Sequence, residues 1–286
     1  MSTTIPAADR RQLLSIAYGH LGSLADAEDA VQEAMLRLAQ TDRASIVNPA
    51  AWLTTVVTRL CIDKLRSARH RREVYVGEWL PEPLFHEPGP EQDAITHSRL
   101  SIGLLYLMEK LDPEQRAVFV LREVFEYPYQ EIAAIVRKSE AACRQLMTRA
   151  RAALERARSA AASSEAVDSS VVSRFIDAIL REDAAEMLRI LSPDAVMVAD
   201  GGGKVKSILR PLHGADRITR FFLGVRRKGA WEQVRPAVVN SGSGVLTFRD
   251  GELTGVAAVE IENGLIRAIY AIGNPEKIGV RPPHSG

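Results

Sequence analysis

Two stretches of the chain concentrate guanidinium and ammonium groups. Between residues 137 and 158, Arg137, Lys138, Arg144, Arg149, Arg151, Arg156 and Arg158 face only Glu140 and Glu155. Between residues 59 and 72, Arg59, Lys64, Arg66, Arg69, Arg71 and Arg72 face only Asp63. Seven against two and six against one leave each stretch at about +5, while the whole chain is +1. Such local excess in a near-neutral chain is the footprint of a protein that grips a polyanion, since each cation can displace a condensed counterion from a phosphate backbone. A third cluster has the opposite sign. Asp26, Glu28, Asp29 and Glu33, with Gln32 between them, crowd the start of one helical segment, where carboxylates favour the helix dipole and offer an acidic face to a basic partner.

Other residue types that could do chemistry are less ordered. The histidines at 20, 70, 86, 97, 213 and 284 lack ligand spacing, and Cys61 and Cys143 lie singly inside predicted helices. Neither a metal centre nor a disulfide framework is expected, and no cofactor. Asp200-Gly201-Gly202-Gly203-Lys204 exposes backbone donors beside a cation. It lacks the full nucleotide-loop pattern and its Ser/Thr, so a tight loop against another segment is the better reading. Asp200, His213, Asp216 and Trp231 are the available acid, base and aromatic groups for a catalytic site, yet no spacing marks an acid/base pair. No catalytic residue is expected.

The elements that position these groups follow from periodicity. Apolar residues recur at helical spacing through Leu13, Ile16 and Ala17, then Leu24, Ala27, Val31, Met35 and Leu38, then Trp52, Val56, Leu60 and Leu65. Ser23 to Asp26 caps the second helix and Asn48-Pro49 opens the third. Trp52 is expected in the core. Gly77, Pro81, Pro83, Pro88, Gly89 and Pro90 interrupt the pattern as a linker. It contains the apolar run Trp79-Leu80-Pro81-Glu82-Pro83-Leu84. Helices return from about 95 to 158. A cap at Asp112-Pro113 starts one, and a short helix from Tyr129 to Val136 turns inward Ile132, Ala133 and Val136. Ser139 caps the next, with Ala142, Leu146 and Ala153 as inner stripe and Ala141, Arg144, Gln145, Thr148, Arg149 and Arg151 on the opposite face. Two helices so joined make a helix-turn-helix, whose second helix can reach phosphates and base edges in a major groove.

Beyond residue 167 two helices (171–180, 184–191) precede strand-like runs at 195–198, 231–239, 244–248, 254–261 and 265–272. Asp250-Gly251 and Asn263-Gly264 mark hairpins between the last three. The chain, 286 residues long, therefore suits several domains: two all-α domains followed by an α+β domain with an antiparallel sheet. No stretch is apolar over a bilayer's span and the first ten residues carry no apolar core behind basic ones, so the expected location is the cytoplasm.

Several strings carry a family resemblance. Tyr129-Gln130-Glu131-Ile132-Ala133 and Arg149-Ala150-Arg151, preceded by Leu111-Asp112-Pro113-Glu114-Gln115-Arg116, resemble the promoter −35-reading region 4 of extracytoplasmic-function sigma factors. Asp26 to Glu33 with Met35-Leu36-Arg37-Leu38 is similar to the polymerase-clamp helix of region 2, and Ala51-Trp52-Leu53 through Arg66 to its helix near the −10 element. The segment after residue 167 resembles the SnoaL-like cone-shaped fold of one sigma-factor group. That likeness rests on Trp79-Leu80-Pro81-Glu82-Pro83, Asp200 to Lys204, and Asn274-Pro275-Glu276-Lys277, where the group's usual third residue is aspartate.

The resemblance implies region 2 over 1–73, a Pro-rich linker over 74–94, region 4 over 95–159, a short linker over 160–166 and a SnoaL-like regulatory domain over 167–286. It implies polymerase contact through Asp26, Glu28, Asp29, Gln32 and Glu33, promoter contact through the two basic stretches, and a flipped base read in the 41–48 loop. It further implies a factor that acts as a monomer without a separate anti-sigma protein, controlled by its own third domain. Family members often carry glycine in the helix-turn-helix turn, whereas Val136-Arg137-Lys138-Ser139 has none. Two other readings are a helix-turn-helix regulator with a ligand-sensing cone and a cyclase- or isomerase-like enzyme. The first leaves the acidic helix and residues 52–66 without purpose, the second leaves both basic stretches unexplained.

Overall fold

The computed structural model describes residues 7–42, 46–73, 75–86, 100–158 and 169–279. They form two compact units, residues 1–74 with 107–156 and residues 75–106 with 157–286. The boundary of the second unit takes in the Pro-rich segment, and α4 (Ile102–Met108) is divided after Tyr106.

In the first unit α1 (Ala7–Leu21), α2 (Leu24–Gln40) and α3 (Pro49–Glu73) pack on one another. The starts of α2 and α3 are chemically specified: the Asp26 amide donates to Ser23 Oγ at 3.3 Å, and the Ala51 amide to Asn48 Oδ1 at 3.1 Å. The buried stripe of α3 is Leu53, Val57, Cys61 and Leu65, one residue from the expected Trp52, Val56 and Leu60, which are half-buried. Both stripes repeat every four residues, so periodicity alone could not choose between them. Trp52 is thus not a core residue. α5 (Pro113–Phe119) begins at the Asp112 capping box and runs on through a π-helical turn, Val120–Val124.

α6 (Tyr129–Val136) and α7 (Glu140–Arg158) make the helix-turn-helix. In the turn Arg137 adopts the left-handed conformation (φ 56°) that glycine usually takes, and Ser139 Oγ accepts from the Ala142 amide at 3.1 Å. α6 buries Ile132, Ala133 and Ile135; α7 buries Cys143, Met147, Ala150 and Leu154. On α6 Ile132 and Ala133 are inward as expected and Ile135 is buried where Val136 was expected; on α7 the stripe is offset by one residue from the expected Ala142, Leu146 and Ala153.

The second unit carries a seven-stranded sheet in the order β1-β4-β5-β6-β7-β2-β3, with β1 Phe85–His86, β2 Leu191–Asp200, β3 Leu212–His213, β4 Gln233–Val239, β5 Gly242–Arg249, β6 Glu252–Glu262 and β7 Leu265–Ile272. All pairs are antiparallel except β2 with β7. Both expected hairpins form, with Asp250, Gly251, Asn263 and Gly264 all at positive φ. Three helices, α8 (Ser169–Leu180), α9 (Ala184–Ile190) and α10 (Ala215–Arg227), cover one face of the sheet around Phe175, Met187, Ile218, Val259 and Ile269. α10 was not anticipated. Its apolar residues Ala215, Ile218, Phe221, Phe222, Leu223 and Val225 are interspersed with arginines, and its N-cap is Gly214.

The opposite face is also apolar, with Val196, Val198, Leu246, Ala258, Tyr270 and Ile272, and it is covered by the chain's own residues Leu80 and Ile102, with Phe85 and Tyr106 at the edges. Gly103 permits the approach, because a Cβ there would meet the buried Glu260 carboxylate and the Tyr270 ring. Leu80 and Phe85, read as linker, are thus part of this unit's core.

Candidate nucleic-acid interface and linker clamp

The α7 face presents Ala141, Arg144, Gln145, Thr148, Arg149 and Arg151, all exposed. Arg144 bonds Glu140 at 2.8 Å and lies 5.0 Å above the Tyr129 ring centroid. Arg151 bonds Glu123 at 2.6 Å. Arg149 has no ion pair among the described residues, so all five of its N–H donors are available to a base edge or phosphate. We expect Arg149→Ala to weaken promoter binding by roughly 10- to 100-fold, the range for loss of one bidentate base contact. The melting temperature should stay unchanged because the side chain is exposed. Competition binding at fixed salt beside a thermal melt checks both halves; equal promoter affinity would remove Arg149 from the interface.

The other basic stretch behaves differently. Arg59 donates to the carbonyls of Ile135 (2.8 Å) and Ala134 (3.0 Å), closing the α6 C-terminus, and Arg66 bonds Glu114 at 2.9 Å. Lys64 reaches α2, bonding Asp26 at 3.0 Å and Asp29 at 3.3 Å. Glu33 pairs with Arg37 while Glu28 and Gln32 stay exposed. The side chains of Arg69, Arg71 and Arg72, and residues 43–45 of the 41–48 loop, lie outside the described residues. Sequence reasoning had no access to these pairings, which join residues 35 to 76 positions apart.

In the second unit Asp200 ends β2 and is 1% exposed. Its Oδ1 accepts from Tyr75 Oη at 2.7 Å and from the Gly202 amide at 2.9 Å; its Oδ2 accepts from the Leu80 amide at 2.9 Å and Lys277 Nζ at 2.6 Å. Lys277 Nζ also donates to the Leu80 carbonyl and sits 4.1 Å from the Trp79 ring centroid. Asn274 caps α11 (Pro275–Ile278) through Oδ1 and donates from Nδ2 to Tyr75 Oη at 2.9 Å. Gly202 is at φ 60°, where a Cβ would lie 2.3 Å from that amide nitrogen, so the glycine is needed for both conformation and space.

Gly201 sits against the Val205 carbonyl and Gly203 against Val76, while Lys204 pairs with Glu276 at the surface. Leu80, Pro81, Glu82 and Pro83 are buried and Trp79 half-buried. Burial first, and then Asp200, raises the Tyr75 phenol above its ordinary range, so it remains a donor at neutral pH. The glycine loop directs its Gly202 amide at its own carboxylate and not at an open phosphate site.

The three strings that the sequence offered separately are therefore one clamp on the linker, and Tyr75 is a member that sequence reasoning missed. Of the four groups considered for catalysis, Asp200 belongs to this clamp, His213 and Asp216 are exposed, the latter paired with Arg220, and Trp231, half-buried, packs on Phe222 at the edge of the core. Among the described residues no His/Cys/Asp/Glu cluster could hold a metal and no helix is long and apolar enough to cross a membrane.

Comparison with known proteins decides the family. The Sigma-70 region 2 family model matches residues 7–71 and the Sigma-70, region 4 model residues 102–154. The chain is 37% identical to the ECF RNA polymerase sigma factor SigJ of Mycobacterium tuberculosis, with 96% of this chain and 92% of the relative covered. This chain belongs to the extracytoplasmic-function sigma factors. A second relative, the probable sigma factor SigI of the same organism, is 32% identical over 95% of this chain and 92% of its own length. The crystal structure of SigJ superposes with a TM-score of 0.80 at 35% identity, covering 96% of this chain and 97% of that one. As a sigma factor, the protein binds core RNA polymerase and directs promoter-specific initiation. α1–α3 are its region 2, α4–α7 its region 4, and the α+β domain is the SnoaL-like cone.

Proposed function

We propose that the activity of this sigma factor is modulated by its own cone domain through that domain's hold on the linker between regions 2 and 4. The Asp200 clamp carries the reading. A buried carboxylate with four donors, two of them from linker residues Tyr75 and Leu80, is a polar network built to hold one segment. In this reading residues 1–73 and 95–159 are the two promoter-binding regions, 74–94 and 160–166 their connections, and 167–286 the regulator. Asp26, Glu28, Asp29, Gln32 and Glu33 meet the polymerase. Arg59, Lys64, Arg66, Arg69, Arg71 and Arg72 meet the −10 side, and Ala141, Arg144, Gln145, Thr148, Arg149 and Arg151 the −35 side. Trp79 to Pro83, Asp200 to Lys204 and Asn274 to Lys277 exert control.

Lys64 and Arg66 have carboxylate partners inside the chain and Arg59 two backbone carbonyls, all acceptors that DNA phosphates can replace. The factor acts in the cytoplasm as a monomer, with no catalysis of its own and with the cone in place of a separate anti-sigma protein. Ending the chain after Ala166 removes every cone residue of the clamp. Run-off transcription with core polymerase should then differ several-fold between full-length and truncated forms; equal transcription at equal polymerase affinity would refute control by the cone.

A further inference from the structure

The linker is held at a second place that none of the three strings contains. Asn240 occupies the turn between β4 and β5 at φ 55° and is fully buried. Its amide donates to the Leu84 carbonyl at 2.6 Å, its Oδ1 accepts from the Leu84 amide at 3.1 Å, and its Nδ2 donates to the Leu100 carbonyl at 3.1 Å. Leu84 and Leu100 are themselves buried, at 2% and 1% exposure, so these backbone groups have no water to fall back on. Just beyond Leu84, β1 pairs with β4 through Phe85 with Val239 and His86 with Val238.

One side chain thus holds together two positions sixteen residues apart in sequence, Leu84 within the linker and Leu100 just beyond it. The consequence is one of reach. Between the ends of the two family matches, at 71 and 102, an extended chain could span on the order of 100 Å. Fastening Leu84 and Leu100 to one residue removes the stretch between them, roughly half of that reach.

We infer that Asn240 is a positioning residue for promoter recognition: a second clasp, separate from the Asp200 clamp, that limits how far apart regions 2 and 4 can bind and hence which −10/−35 spacers the factor accepts. The inference rests on the reading that the cone controls the linker. The left-handed backbone gives an unusually clean test, because glycine keeps φ 55° without strain while deleting both side-chain bonds. In the full-length Asn240→Gly protein the Leu84 amide should exchange at least tenfold faster by hydrogen exchange, with β6 and β7 amides unchanged.

In run-off transcription across promoters whose spacers differ by single base pairs, the variant should raise the yield from longer spacers several-fold relative to the optimal one. Asn240→Asp, which keeps the acceptor for Leu84 but loses the donor to Leu100, should shift the profile in the same direction and serves if the glycine variant does not fold. Unchanged Leu84 exchange, or faster exchange with the wild-type spacer profile, overturns the inference. The chain ending after Ala166 separates the two failures. If it relaxes the spacer profile while the Asn240 variants do not, the clasp is wrong and cone control stands; if it too keeps the wild-type profile, control of linker reach by the cone is wrong.

Discussion

Asp200→Ala is expected to destabilise the cone unit by about 3–5 kcal/mol, the range for removing one partner of a buried ion pair. The side chain of Asp200 is fully buried and that of Lys277 only 12% exposed, so the ammonium left behind would lose its carboxylate counter-charge in a poorly solvated place. The Leu80 amide and the Tyr75 hydroxyl would lose their acceptor at the same time. Urea unfolding should register the loss as a lower midpoint. Hydrogen exchange should place it at residues 75–84 as well as in the cone. The double variant Asp200→Ala/Lys277→Met should be less destabilised than Asp200→Ala alone, because it no longer strands a charge. Additive effects of the two substitutions would show that the pair is a surface-like contact with no structural coupling.

The clamp also shows what the sequence could and could not disclose. Trp79 to Pro83, Asp200 to Lys204 and Asn274 to Lys277 stand out as strings, and all three meet at one carboxylate. Tyr75 does not stand out, because a lone tyrosine before a Pro-rich segment has no local signature. Asn240 is weaker still: Asn240-Ser241-Gly242 reads as a turn, but its bonds are to residues 156 and 140 positions away. Strands bounded by Asp-Gly and Asn-Gly were legible because the turn residues dictate their backbone. α10 was not, since a helix whose buried side is Ala215, Ile218, Thr219 and Phe222 amid six charged residues from Asp216 to Lys228 owes its existence to the sheet beneath it. The residues expected on the outer face of α7 are indeed exposed even though its inner stripe is displaced by one residue. A face of arginines, glutamine and threonine is wide enough to tolerate that error, whereas a single-file stripe is not.

Lowering the pH from 7.5 to 5 should cost the helical unit about 2 kcal/mol through one residue, His20. His20 lies in the last turn of α1, is fully buried, and has no partner for either ring nitrogen among the described residues. Burial, and behind it the Arg116 guanidinium, pushes its imidazole down from 6.5 to about 3. Arg116 comes from α5 of region 4, is itself buried, and is held by Glu109 and by the Gly19 carbonyl at 3.4 Å. Burial lowers it to about 9, which leaves it charged at neutral pH. The sign follows directly. Between pH 6.5 and 3 the unfolded chain binds a proton at His20 that the folded unit refuses, so the contribution is complete above pH 6.5 and declines as the pH falls. Because the rejected charge lies beside an arginine that joins regions 2 and 4, amide exchange in α1 and α5 should accelerate first. His20→Phe, which keeps a planar ring and cannot titrate, should flatten the dependence of the urea midpoint on pH between 7.5 and 5. A variant with the same slope as the parent would show that other groups carry the acid sensitivity, whatever the substitution does to stability at pH 7.5.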